Sequence, residues 1–184
     1  SKISPAIFGS IFQSIKNIKE RRIAGEHYTS ERNILKAIKT LFLDDLIDEF
    51  DKSKPNSAKL SQLHNKMGSF KFLDPACGCG NFLVIAYREL RLLELEILKI
   101  LTAKSKIDVT GGAQIKIDLL LKLNVDQFYG IEILEWPARI AEVAMWLMDH
   151  QMNLEVGLQL GDPPLRLPLK KSPHIIKDNA LRIN

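Results

Sequence analysis

Cysteine is scarce: only Cys77 and Cys79 occur in 184 residues. Two positions apart in one loop, they suit neither a structural disulfide nor a zinc site, which needs more ligands. They read as small side chains packed into a tight turn, and a reducing, cytoplasmic setting is expected. No run of about 18 apolar residues exists, so no membrane span is expected. No signal peptide is visible, because Lys16, Lys19 and Glu20 interrupt the first apolar segment. Internal repeats and low-complexity tracts are missing too. So is a strong excess of one charge: the net +4 is dispersed, which permits a nucleic-acid partner without arguing for one. The chain opens on Ser1 rather than Met, as an expressed fragment would. With 46% hydrophobic and 26% charged residues, it is expected to be one soluble domain with a real core.

What is present concentrates in one stretch. Phe70 to Leu73 is apolar apart from Lys71; Asp74, Pro75, Ala76, Cys77, Gly78, Cys79 and Gly80 follow, and a long apolar helix begins near Asn81 and Phe82. A strand, an acidic residue, a glycine turn and a helix build a small-molecule site at the carboxyl end of a central strand. Glycine lets backbone approach a ligand, and the free N–H groups of the helix start can meet an anionic group. The dinucleotide pattern G-x-G-x-x-G wants a third glycine, but Leu83 stands there. Asp74 would repel a pyrophosphate and suits an ammonium group. A ligand bearing both amine and carboxylate, such as the methionyl end of S-adenosyl-L-methionine, fits better.

Along the chain, residues 4–22 read as a helix with Ile7, Ile11, Ile15 and Ile18 on one face. Ser30 is a plausible N-cap for a helix over 31–50, with Ile34, Ile38, Leu41, Phe42 and Ile47 as its buried stripe and Asp44, Asp45, Asp48 and Glu49 solvated. A polar break at 52–57 and a short helix over 57–66 lead to strand 69–73, helix 80–103 and a loop over 104–113. Residues 114–123 fit strand or helix equally. A second strand is expected over 127–133. Next comes a helix over 135–150 with Ile140, Val143, Ala144 and Leu147 inward and with Trp136, Met145, Trp146 and Met148 in the core. A proline-bearing loop or edge hairpin over 157–173 and a third strand over 175–177 complete the order. Alternating strands and helices imply a parallel sheet. The expected fold is α/β, Rossmann-like and cut short at three strands. It divides into an N-terminal helical segment over 1–68 and a partial core over 69–184.

Three acidic or amide sites fall at successive strand ends. After Asp74 comes Glu132, whose carboxylate could accept bonds from ribose hydroxyls; Ile133 could lie on an adenine face, and Asp178-Asn179 could bond the adenine amine. No metal site is expected.

The run Asp74 to Phe82 resembles the cofactor loop of amino-methylating DNA methyltransferases, and Gly25-Glu26-His27-Tyr28-Thr29 resembles their N-terminal cofactor-contacting motif. With Phe128 to Glu132, Pro137 to Ala141 and Asn179-Ala180-Leu181, the chain resembles the N-terminal half of the methyltransferase domain in N6-adenine DNA methyltransferases. The nearest subgroup is the large bacterial restriction–modification proteins that carry methylation on one long chain. The resemblance implies the fold of S-adenosyl-L-methionine-dependent enzymes. Its implied cofactor site is His27, Tyr28 and Thr29 folding over the methionyl end, with Asp74, Ala76, Cys77, Gly78, Gly80, Asn81 and Phe82 in the loop and Glu132, Ile133, Asp178 and Asn179 at later strand ends. The family often has glycine where Asp178 stands; Asn179 is the favoured adenine partner. Double-stranded DNA is the implied partner of the full-length parent. The family's catalytic Asn/Asp-Pro-Pro-Tyr/Phe follows a fourth strand. Asp162-Pro163-Pro164-Leu165 lacks the aromatic and precedes the third, so no catalytic residue is assigned and the motif is expected beyond Asn184. The competing expectations are a nicotinamide-dependent oxidoreductase and a non-catalytic α/β scaffold.

Overall fold

The computed structural model describes residues 29–105, 120–160 and 172–182. Expectations for 4–22, for His27 and Tyr28, for most of 104–119 and for Asp162 to Leu165 fall outside them.

The described chain opens on one continuous helical run: α1 (Glu31–Ile38), a π turn (Lys39–Leu43) and α2 (Asp44–Ser53). Ser30 occupies the N-cap position with extended backbone, though its hydroxyl makes no cap bond. The π turn overturns the expected stripe. It inserts one residue into the helical repeat, so the buried face passes from Ile34 and Ile38 to Leu43, Leu46 and Phe50, while Leu41 is 72% exposed and Ile47 37%. Asp44, Asp45 and Asp48 are solvated as expected. Asn56 caps α3 (Ser57–Gly68), its side chain accepting from the N–H groups of Ala58 and Lys59 at 2.9 and 3.1 Å.

The sheet follows: β1 (Phe72–Asp74), α4 (Asn81–Ser105), a 3-10 turn (Val125–Gln127), β2 (Phe128–Glu132), α5 (Glu135–Leu160) and β3 (His174–Lys177). Its order is β1-β2-β3, all parallel, with Phe72 opposite Phe128 and Tyr129 opposite His174. α5 runs ten residues beyond its expected end, because Gly157 is buried inside the helix instead of breaking it. The inward face of α5 is also different. Ala138, Ala141, Ala144, Met145, Met148 and Met152 are buried; Val143 and Leu147 are turned out, and Trp136 is 75% exposed. Small alanines let α5 lie close to its neighbours.

α4 and α5 cover one face of the sheet, where Phe72 stacks on Phe128 (centroids 4.8 Å apart) and Tyr87 meets Phe128 edge-on. The other face presents Leu73 (62% exposed), Tyr129 stacked on His174, and Ile176. A single core joins Ile34, Ile38, Leu60, Leu63 and Met67 of the leading helices to Leu83, Tyr87 and Phe128. Gln127 stitches the entry to β1 onto β2: its amide nitrogen donates to the carbonyls of Met67, Gly68 and Phe70, and its oxygen accepts from the Asn124 N–H.

A buried polar network lies between α3, α4 and α5. The Tyr87 hydroxyl donates to Asp149 at 2.5 Å, and Arg91 reaches Tyr87, Asp149 and Asn153 at 2.6, 3.2 and 2.9 Å. Arg91 Nε and Glu94 Oε2 form an ion pair at 3.2 Å whose geometry falls short of a hydrogen bond. Glu94 Oε1 lies 2.9 Å from His64 Nε2 and accepts the N–H groups of Lys122 and Leu123. Burial disfavours the Arg91 charge, but Tyr87, Glu94 and Asp149 outweigh it and raise its pKa.

Candidate functional site

The strand ends converge on Glu132. β1 ends at Asp74, and the chain turns through Gly78 (φ +54°) and Gly80 (φ +79°) into α4 at Asn81. Both glycines adopt left-handed backbone that side chains disfavour. Their surroundings differ. A Cβ on Gly80 would sit 2.9 Å from Ala141 Cβ and 3.1 Å from its Cα, so Gly80 supplies the close approach to α5. A Cβ on Gly78 would meet nothing within 4 Å, leaving that side of the loop open. Gly130 is required from below: a Cβ there would lie 2.7 Å from Cys77 Sγ and 2.8 Å from Ile175 Cδ1.

The loop is held by β2. The Cys77 N–H donates to the Ile131 carbonyl at 3.0 Å and the Gly78 N–H to Glu132 Oε2 at 3.0 Å. Glu132 Oε1 accepts the Leu134 N–H at 2.9 Å, and the Glu132 carbonyl accepts the Asp178 N–H at 2.9 Å. Asp74 Oδ1 accepts the Ala76 N–H at 3.0 Å. Burial raises the Asp74 pKa, the Ala76 bond lowers it, and the nearby Glu132 charge raises it further. Burial, with Asp74 and Glu132 close by, pushes the Cys77 thiol up to about 12, so it stays neutral. Cys77 and Cys79 are both free of disulfides.

The sequence-derived residues are therefore largely brought together. Asp74, Ala76, Cys77, Gly78, Gly80 and Glu132 form one hydrogen-bonded cluster, and Asp178 joins it through its backbone. Asn81 and Phe82 open α4 half-buried, Phe82 against the core. Ile133 is 59% exposed beside the cluster. Asp178 and Asn179 form consecutive turns, Asp178 accepting the Asn179 N–H and Asn179 accepting the Leu181 N–H. Thr29 is half-buried just before α1. Arg88 ties the first turn of α1 to α4 through Glu31 at 2.7 Å. Sequence reasoning missed Gln127 and the Arg91 network; the available signal was polar residues set among apolar neighbours in long helices. Among the described residues no group of His, Cys, Asp or Glu could hold a metal ion, and no helix is long and apolar enough to cross a membrane. A cavity of about 600 Å³, lined in part by Lys71, Asn124 and His174, lies at the amino ends of the strands, away from this cluster.

A parallel sheet with a carboxylate and a glycine turn after its first strand, and a second carboxylate gripping that turn, places the chain in the Rossmann-like α/β class. The family model for the MmeI DNA-methyltransferase domain matches residues 50–184, and the chain belongs to that family. It is 38% identical, over its whole length, to DNA methyltransferase A of Bacillus subtilis, of which it covers 20%. A putative type II restriction enzyme and methyltransferase of Methanocaldococcus jannaschii is 24% identical over 88% of this chain and 15% of that protein. Among solved structures, the type IIL restriction–modification enzyme MmeI in complex with DNA superposes with a TM-score of 0.89 at 58% identity, over 100% of this chain and 24% of that one. The chain thus spans a quarter or less of the length of these relatives.

Proposed function

We propose that these residues form the cofactor-binding part of an S-adenosyl-L-methionine-dependent DNA methyltransferase that modifies N6 of adenine within a restriction–modification protein. One observation carries the reading: Asp74 and Glu132 both bond the backbone of the glycine-loop segment at adjacent strand ends, near enough for the Glu132 charge to act on Asp74, and no ion pair neutralises either among the described residues. A ligand offering an ammonium group and paired hydroxyls would relieve both. Burial raises the Asp74 pKa and the Glu132 charge raises it further; an ammonium group beside Asp74 would offset both. A pyrophosphate would meet repulsion at the same place.

The cofactor supplies an electrophilic methyl group on a sulfonium. The chain's own residues do the holding. Asp74 would take the amino group, with Ala76, Cys77 and the open face at Gly78 forming the floor and the first turn of α4, at Asn81 and Phe82, closing one end. Glu132 would accept ribose hydroxyls, Ile133 would cover one adenine face, and Asn179, with Asp178 beside it, would meet the adenine amine. His27, Tyr28 and Thr29 would fold over the methionyl end. In this reading 1–68 is the helical segment and 69–184 the cofactor core. We place the Asn/Asp-Pro-Pro-Tyr/Phe motif outside these 184 residues, which alone would bind cofactor without transferring methyl. The solved MmeI relative is a DNA complex, which supports double-stranded DNA as the partner of the whole protein, acting in the cytoplasm. Calorimetric titration of the full protein with S-adenosylhomocysteine tests the reading. Saturable binding that Asp74→Ala abolishes is expected; no binding, or competition by a nicotinamide dinucleotide, would sink it.

A further inference from the structure

Glu132 does more in this fold than offer a carboxylate to a ligand. It touches all three turns that leave the sheet at its carboxyl end. Its Oε2 holds the Gly78 N–H of the turn after β1, its Oε1 holds the Leu134 N–H of the turn after β2, and its carbonyl holds the Asp178 N–H of the turn after β3. The Gly78 bond is the informative one. Gly78 sits at φ +54°, and on its open side nothing stands within 4 Å of where a Cβ would be. Its neighbour Cys77 is fixed by backbone, to the Ile131 carbonyl. Gly78 is instead held by a side chain 54 residues away, through a bond strengthened by the carboxylate's charge.

We infer that Glu132 is a positioning residue for the glycine loop, fixing the half of the pocket that would receive the amino-acid tail independently of any contact with ribose. Each carboxylate oxygen has two acceptor sites. With one backbone N–H on each, a site per oxygen remains, so anchoring and hydroxyl recognition are compatible. The two halves of the ligand are then coupled through one side chain. The inference rests on the cofactor reading above.

The test separates anchoring from ribose contact. The ligands are S-adenosylhomocysteine and its 2′,3′-dideoxy analogue, titrated into the full protein carrying wild-type Glu132, Glu132→Gln or Glu132→Ala. Residue-resolved amide hydrogen exchange is measured without ligand. Anchoring predicts that the dideoxy analogue, which has no hydroxyl for Glu132 to accept, binds Glu132→Ala roughly tenfold more weakly than wild type. It also predicts faster exchange at Gly78 and Leu134 with the interiors of α4 and α5 unchanged. Glu132→Gln, which keeps one acceptor oxygen, should fall between; it carries the comparison if the alanine variant does not fold. Equal affinity of the analogue for wild type and variant, or unchanged Gly78 exchange, would overturn the inference. Should wild type bind neither nucleoside, the cofactor reading fails while the exchange data still decide whether Glu132 anchors the loop.

Discussion

Two pairs of carboxylates in this molecule are treated in opposite ways. Glu94 on α4 and Asp149 on α5 are almost wholly buried and surrounded by Arg91, Tyr87, Asn153 and His64. Asp74 and Glu132, at the strand ends, accept only backbone N–H groups among the described residues, and the Glu132 charge acts on Asp74. Charges that serve the architecture are neutralised from within; the second pair has no counter-charge among the described residues, as the proposed cofactor site would require. Buried ions that lose their partner are costly, so the first pair is held together by the helices that present it.

Breaking the internal pair should have the largest effect. Arg91→Met would strand Asp149 and Glu94 without a counter-charge, and a loss of about 3–5 kcal/mol is expected in urea unfolding; less than ~1 kcal/mol would place this network with ordinary surface ion pairs. The next effect sharpens the contrast inside the loop. Gly80→Ala should cost about 2–4 kcal/mol, combining left-handed backbone with a clash against Ala141. Gly78→Ala should cost only about 1–2 kcal/mol, from backbone alone. Equal losses in thermal unfolding would show that the open side of the loop is closed. The smallest stability effect is expected from Asp74→Asn. A carboxylate whose folded pKa lies above its ordinary value of 3.8 makes the folded state bind more protons, so its charge lowers stability as pH rises through that window. The variant should therefore be slightly more stable than wild type at neutral pH, with a flatter stability profile across the carboxylate range. Its affinity for S-adenosylhomocysteine should nonetheless drop, and the wild-type affinity should weaken as acid protonates Asp74. Tighter binding by Asp74→Asn would remove the ammonium argument.

The grouping of Asp74 and the glycine turn at a strand end was legible because it depends on local order: an acid, then glycines, then a helix start. β1 and β2 fall within a few residues of expectation for the same reason. What escaped the sequence depends on geometry that periodicity does not register. An inserted residue at Lys39–Leu43 exchanged Leu41 and Ile47 for Leu43, Leu46 and Phe50. Gly157 looked like a stop, yet it is buried inside α5, which runs through it to Leu160. Val143, Leu147 and Trp136 looked inward by hydrophobicity alone, but the inward face of α5 is set by Ala138, Ala141 and Ala144, whose small side chains allow close packing, with Met145 and Met148. Arg91 and Glu94 gave no periodic signal, since Asp149, Asn153 and His64, which complete their network, are distant in sequence.

The π turn makes the first helical run behave like a gear with one extra tooth. Were Lys39–Leu43 to wind as plain α-helix with every residue kept, everything before it would swing by about 100° relative to Phe50. Ile34 and Ile38 would leave their seats, and Glu31 would turn away from Arg88. A one-codon deletion within the turn would instead leave Ile38 and Leu43 four positions apart on one helical face, so the run is expected to keep its seat against the core.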